Sequence, residues 1–132
     1  MCVDYSRLNA VTKFDCFPLA RIDEALDSFA GAVVFSLLDL AMAWYQIPIA
    51  PPDVKKTAFI THFGLFEMDK MPVGLCNAPS TYQRYMSIVL QGLIGSINLA
   101  YLDDVMMLSE RLGYHINDLC EVFFRVCMRI LS

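Results

Sequence analysis

The sequence predicts an α+β unit in which a largely antiparallel sheet is covered on one side by helices. Three observations carry that reading. Residues 32–40 form an apolar, β-branched run with one aspartate near its end. Residues 97–101 and 105–108 are short apolar runs that meet at a pair of aspartates. Apolar residues then recur at helical spacing through residues 82–93 and again through 116–130.

Taken in order, residues 1–5 begin at once in an apolar, strand-like run without a leader. Residues 21–29 place Ile22, Leu26 and Phe29 on one helical face, with Asp23 and Glu24 in the first turn, where the helix dipole favours them, and Gly31 as the stop. The strand at 32–40 follows, and Pro48, Pro51 and Pro52 bound an irregular stretch. Residues 57–61 and 65–68 read as a hairpin around Phe63-Gly64. Asn77 is a good N-cap and Pro79 suits a first helical turn, so a helix opens there, with Tyr82, Tyr85, Met86, Val89, Leu90 and Leu93 as its apolar face. A hairpin carrying Asp103-Asp104 comes next. Ile116, Leu119, Phe123, Val126 and Ile130 then mark a last amphipathic helix, with His115 at its start as a surface or capping group.

The chain has 132 residues, the size of one domain. Hydrophobic residues make up 57% of it, above the level of an ordinary soluble domain, which excludes disorder. That surplus, with ends that stop inside strand-like and helical patterns, points to a piece of a larger protein. Ten basic against fourteen acidic side chains leave a net charge of -4, so the segment does not hold a polynucleotide by bulk charge. Five cysteines without a C-x-x-C, and histidines as distant as His62 and His115, indicate small hydrophobes in a reducing compartment, not a zinc site. Residues 85–102 carry no charge but contain Gln91, Asn98 and two glycines and end against aspartates, which argues against a membrane span.

The carboxylates are the chemical feature. Asp103-Asp104 is flanked by Ala100-Tyr101-Leu102 and Val105-Met106-Met107-Leu108, and Asp39 is the only charge between Asp27 and Asp53. Adjacent ionised groups in so apolar a setting repel and resist desolvation unless a cation neutralises them. If strand and hairpin lie side by side, three carboxylates meet around hard divalent metal, and two ions about 4 Å apart suit in-line displacement at phosphorus. An exposed Asp-Asp turn and a strand-end Asp are the plain alternatives, and spacing alone leaves the reaction open.

The residues themselves add more. Phe35-Ser36-Leu37-Leu38-Asp39-Leu40, Tyr45-Gln46-Ile47, Lys56-Thr57-Ala58-Phe59, Met71-Pro72-Val73-Gly74-Leu75-Cys76-Asn77-Ala78-Pro79-Ser80-Thr81-Tyr82-Gln83 and Tyr101-Leu102-Asp103-Asp104 resemble, in order, the sequence blocks of reverse transcriptases. The likeness is nearest to gypsy-type LTR retrotransposons and their retroviral and pararetroviral relatives. Val3-Asp4-Tyr5, Leu8-Asn9 and residues 18–23 resemble the upstream segment of that family, and Ser109, His115 and the last helix its downstream one.

The resemblance implies a polymerase palm with partial fingers: fingers-like about residues 1–16 and 47–77, palm-like about 17–46 and 78–132. It implies RNA-directed DNA polymerase chemistry, in which a primer 3′-hydroxyl attacks a deoxynucleoside triphosphate with two Mg²⁺ ions, Mn²⁺ being able to substitute. Asp39, Asp103 and Asp104 are the implied catalytic and metal-binding triad, with Leu40 beside them. Leu40, Met42, Ala43, Trp44 and Val73 match nucleotide-binding positions, and Gly74, Asn77, Pro79, Gln83 and Tyr101 template or primer positions. The implied partners are an RNA or DNA template with its primer, the dNTP, and the thumb, connection and RNase H regions of a polyprotein.

Three positions depart from the family pattern: Trp44 stands where Tyr is usual, Ser6 where Arg is usual, and Val73 where Phe is commoner. Without a thumb, little or no polymerase activity is expected of these 132 residues alone. The departures also admit a decayed or repurposed, non-catalytic remnant. A third reading, another palm-type nucleotidyltransferase, is disfavoured by the block at residues 71–83.

Overall fold

The computed structural model describes residues 3–18, 31–94, 98–101 and 104–130. Along the chain these form α1 (Ser6–Val11), β1 (Val34–Asp39), a 3-10 turn (Ala43–Gln46), α2 (Pro51–Val54), a second 3-10 turn (Lys55–Thr57), β2 (Phe59–Thr61), β3 (Gly64–Phe66), α3 (Ala78–Val89), β4 (Asn98–Tyr101), β5 (Asp104–Ser109) and α4 (Leu112–Ile130). The helix expected at residues 21–29 lies outside the described residues.

Period-two alternation builds the main sheet. β5 is central, with β1 antiparallel on one side and β4 antiparallel on the other. In β1, Val34, Ser36 and Leu38 are half-buried while Phe35, Leu37 and Asp39 are exposed. In β5, Val105 and Met107 are fully buried and pack beneath the two long helices. The expectation of antiparallel strands backed by helices is therefore met. The apolar setting inferred for the carboxylates is corrected at the two that are described: each apolar neighbour turns inward, and alternation turns Asp39 and Asp104 outward to water.

α3 buries Tyr82, Met86 and Val89, and its C-cap residue Leu90 is buried with them, all spaced to share one helical face. The Leu93 amide donates to the Leu90 carbonyl at 2.9 Å, and Gly92 turns the chain at φ +83. Arg125 of α4 donates to the Gln91 carbonyl at 2.9 Å, joining the two helices end to side. α4 is rotated from the face read in the sequence. His115 and Val122 are buried and Leu119 and Val126 pack beside them, while Ile116 and Phe123 are about half exposed. His115, expected at the surface, is 2% exposed.

The hairpin is shorter than expected. Phe59 pairs with Phe66 and Thr61 with Gly64, and the two Phe rings stack with centroids 5.9 Å apart. Thr57 belongs to the 3-10 turn before it, because its hydroxyl donates to the Val54 carbonyl at 2.6 Å and accepts from the Met68 amide at 2.8 Å, replacing a ladder bond. Among the described cysteines none is fully buried: Cys16, Cys120 and Cys127 are exposed and Cys76 is half-buried, all of them free thiols. The expectation of core cysteines is corrected there. No helix among the described residues is long and apolar enough to cross a membrane.

Candidate active site

The strand pairing brings three of the expected site residues into one row. Asp39, last in β1, is the Cα partner of Asp104, first in β5, and Asp104 is also the partner of Tyr101, last in β4. Directly opposed residues in an antiparallel pair share a face, with Cβ atoms about 5 Å apart. Two carboxylates are thus presented side by side at one end of the sheet, each exposed. Among the described residues neither is in an ion pair. Asp103 lies outside the described residues, and among those described no third ligand completes a cluster. A pair of solvated, unneutralised oxygen donors fits a hard divalent cation.

Immediately after Asp39 the chain turns tightly. The Ala43 amide donates to the Leu40 carbonyl at 3.2 Å and the Tyr45 amide to the Met42 carbonyl at 3.0 Å. Met42 is 75% exposed and holds a left-handed conformation at φ 53, an unusual state for a residue with a Cβ and one that concentrates at functional loops. The Leu40 carbonyl has a second lone pair beyond the one Ala43 uses. Gln46 steadies the turn by donating from Nε2 to the Ala41 carbonyl at 2.9 Å, and its buried Oε1 has no partner among the described residues. Ala43 is buried, and Trp44 is half-buried against Tyr82 of α3, so the turn is anchored to the helix beneath.

A second group of expected residues sits on the loop before α3. Val73 is 54% exposed, and Gly74 turns at φ +103 beside Tyr5. Asn9 of α1 clasps this loop: its Nδ2 donates to the Gly74 carbonyl at 2.8 Å, and its Oδ1 accepts from the Cys76 amide at 2.9 Å. Asn77 occupies the N-cap position of α3, but its side chain makes no cap bond. It accepts instead from the Asp15 amide at 3.0 Å and donates to the Lys13 carbonyl at 2.8 Å. Pro79 lies in the first turn of α3 as expected. Gln83, expected near template, is buried at 3% exposure and donates to the Ala100 carbonyl at 2.9 Å, because the helical register turns it into the core against β4. Its amide braces the sheet.

Ser6, where the family pattern has Arg, donates its hydroxyl to Asp4 Oδ1 at 2.5 Å. That bond, followed by the Ser6 backbone amide, holds the Asp4 carboxyl below its ordinary value. Sequence reasoning missed the polar cluster of Ser36, His115, Ser109 and Asp118 beneath the sheet. The available cue was Ser36, the one polar residue on the inward face of an otherwise apolar strand.

Comparison with known proteins bears on these arrangements. Residues 1–128 match the family model for reverse transcriptase (RNA-dependent DNA polymerase). The chain is 38% identical over 124 residues to the retrovirus-related Pol polyprotein from transposon 297 of Drosophila melanogaster, covering 94% of this chain and 12% of the relative. It is 38% identical over 122 residues to an RNA-directed DNA polymerase homolog of Oenothera berteroana, covering 90% of this chain and 86% of that protein. The chain thus spans about an eighth of the transposon relative. Among solved structures, prototype foamy virus protease-reverse transcriptase superposes with a TM-score of 0.83 at 21% identity, over 96% of this chain and 17% of that one. The same viral protein in complex with RNA/DNA hybrid gives 0.80 at 21% identity over the same shares. None of these relatives favours a non-catalytic remnant.

Proposed function

We propose, for a chain that belongs to the reverse transcriptase (RNA-dependent DNA polymerase) family, that these residues are the catalytic core of a retrotransposon polymerase extending a primer 3′-end with dNTPs along an RNA or DNA template. The register pairing of Asp39 with Asp104 carries this reading. Asp39, Asp104 and the adjoining Asp103, with the Leu40 carbonyl, would hold two Mg²⁺ ions. Such ions, when bound, supply Lewis-acid activation of the primer hydroxyl and stabilise charge on the departing pyrophosphate.

The chain's own residues do the positioning. Asp39 and Asp104 set the acceptor end of the primer against the α-phosphate. The anchored turn through Leu40, Met42 and Ala43 cradles the triphosphate with main-chain groups, which tolerates side-chain change. Trp44, braced on Tyr82, forms the floor beneath the sugar, where a bulky ring excludes a ribose 2′-hydroxyl. Val73 and Gly74 present the loop before α3 to nucleotide and template, with Asn77, Pro79 and Tyr101 nearby in the strand-primer path. The segments 1–16 and 47–77 act as fingers and 17–46 and 78–132 as palm. Grip on the primer–template is left to thumb, connection and RNase H regions, because a net charge of -4 is unsuited to it. The foamy virus complex with RNA/DNA hybrid supports the choice of partner.

Calorimetric titration with Mn²⁺ tests the reading at the site itself. The parent chain is expected to bind, and Asp39→Asn to lose most of the affinity while remaining folded. Equal binding by both chains would sink it. Primer extension adds a second check: a longer chain carrying the flanking regions is expected to extend a primer and to lose that on Asp103→Asn, whereas the 132 residues alone give no processive synthesis.

A further inference from the structure

We propose that His115 is a positioning residue, which through Ser36 and Ser109 locks β1 to β5 in the one register that sets Asp39 opposite Asp104. The proposal rests on the metal-site reading above for its functional consequence. His115 is buried at 2% exposure in the first turn of α4, under the sheet. Its Nε2 lies 2.7 Å from Ser36 Oγ of β1 and its Nδ1 3.0 Å from Ser109 Oγ of β5. Ser109 in turn donates to Asp118 Oδ2 at 2.9 Å.

The donor and acceptor inventory fixes the direction of this chain of bonds. A carboxylate only accepts, so the single Ser109 hydroxyl proton is spent on Asp118. Ser109 Oγ must then accept from His115 Nδ1–H. In the neutral imidazole that leaves Nε2 as an acceptor, filled by the Ser36 hydroxyl. Every polar atom of the ring is used, and three elements are tied through one side chain.

Nothing else in β1 chooses this register as sharply. A one-residue slip would turn Phe35 and Leu37 inward and is resisted by the pleat. A two-residue slip keeps the faces and, Ser36 apart, exchanges one apolar side chain for another on each face, since Val34 and Leu38 inward and Phe35 and Leu37 outward are all apolar. Yet it would carry Asp39 about 7 Å along the strand from Asp104. Ser36 is the one inward-facing group that distinguishes the two alignments, because its hydroxyl meets His115 in only one of them. It lies three residues before Asp39 on the same strand, so the pin and the carboxylate move together.

The experiment compares Ser36→Val with Ser36→Thr in the full chain. The two side chains have the same shape and differ in the hydroxyl. Cross-strand NMR contacts between β1 and β5 read the register directly, and Mn²⁺ titration reads the site. Ser36→Thr is expected to keep the parent contacts and affinity. Ser36→Val is expected to lose or multiply the contacts and to bind Mn²⁺ about tenfold more weakly, the usual scale for an outer positioning partner. Parent contacts in Ser36→Val would overturn the proposal. Altered contacts with undiminished Mn²⁺ binding would uphold the register pin and overturn the metal-site reading instead. Ser36→Ala, which adds no volume, and His115→Phe, which fills the ring's space without polar atoms, are read in the same way should valine prevent folding.

Discussion

Trp44 lays its indole against the ring of Tyr82, with centroids 5.2 Å apart and planes inclined at 42°. The turn that follows Asp39 is therefore fastened to α3 and does not swing freely. Truncating Trp44 to Ala is expected to cost about 2–4 kcal/mol in urea unfolding, while Trp44→Tyr costs less than half as much. A double-mutant cycle with Tyr82→Ala should give a coupling of about 0.5–1.5 kcal/mol. Strict additivity would show that the rings are neighbours without being partners.

Two amides hold the loop before α3. Asn9 bonds both Gly74 and Cys76, and Asn77 bonds both Lys13 and Asp15. Replacing either by Ala is expected to destabilise by about 1–2 kcal/mol, since a donor and an acceptor are lost together. Asn77→Asp keeps the acceptor toward the Asp15 amide and loses the donor toward Lys13, so it should fall between parent and Asn77→Ala. Chemical denaturation of the three chains orders them. An Asn77→Ala chain as stable as the parent would show that solvent replaces both bonds without loss.

Gly74 and Gly113 make opposite forecasts. At Gly74, φ is +103 and an added Cβ would meet Tyr5 Cδ2 only at 3.7 Å, so the penalty of Gly74→Ala comes from the backbone and is expected to be about 1–3 kcal/mol. Gly113 lies in the first turn of α4, at an ordinary φ, with nothing within 4 Å of an added Cβ. Gly113→Ala should stabilise by about 0.5–1 kcal/mol through helix propensity and reduced freedom of the unfolded chain. Thermal melts of both variants check the signs.

Alkaline sensitivity is expected from two tyrosines. Burial raises Tyr5 above the ordinary 10.0, with the nearby Tyr45 adding to it. Burial also raises Tyr85, partly offset by Arg129, whose carbonyl accepts the Tyr85 hydroxyl at 2.6 Å. A phenol whose folded value is raised contributes stability in full below its unfolded value, and that contribution is lost as pH climbs through the folded one. Stability should therefore be flat toward pH 10 and decline above it. Tyr85→Phe should show a shallower decline, and an unchanged slope would remove Tyr85 from the account.

Much of this arrangement is legible in the sequence, and the rest fails for identifiable reasons. Asp39 and the Asp103-Asp104 pair stand out because charge is rare in their strands, and the pairing of β1 with β5 follows from two short apolar runs that need partners. The exposure of Asp39 and Asp104 is less visible, because a run such as Leu37-Leu38-Asp39-Leu40 looks continuous until the pleat assigns alternate faces. His115 escapes a search for apolar periodicity altogether. A buried polar residue is defined by partners that lie six residues away at Ser109 and 79 at Ser36. Asn77 misleads in another way: its position is that of a cap, but a more demanding pair of backbone groups 62 and 64 residues distant claims its amide.

The arm formed by residues 3–18 is held chiefly by bonds of this long reach. α1 buries none of its own residues, and the ties from Asp15 run to Asn77, Ser80 and Arg84, the last of them 69 residues onward. Closing so large a loop precedes any reward from it, so the arm should dock after sheet and helices have condensed. During synthesis the order is sterner still. This segment leaves the ribosome before α3 does, and it waits for α3 to emerge before it has anything to hold, an interval whose length is set by the speed of translation.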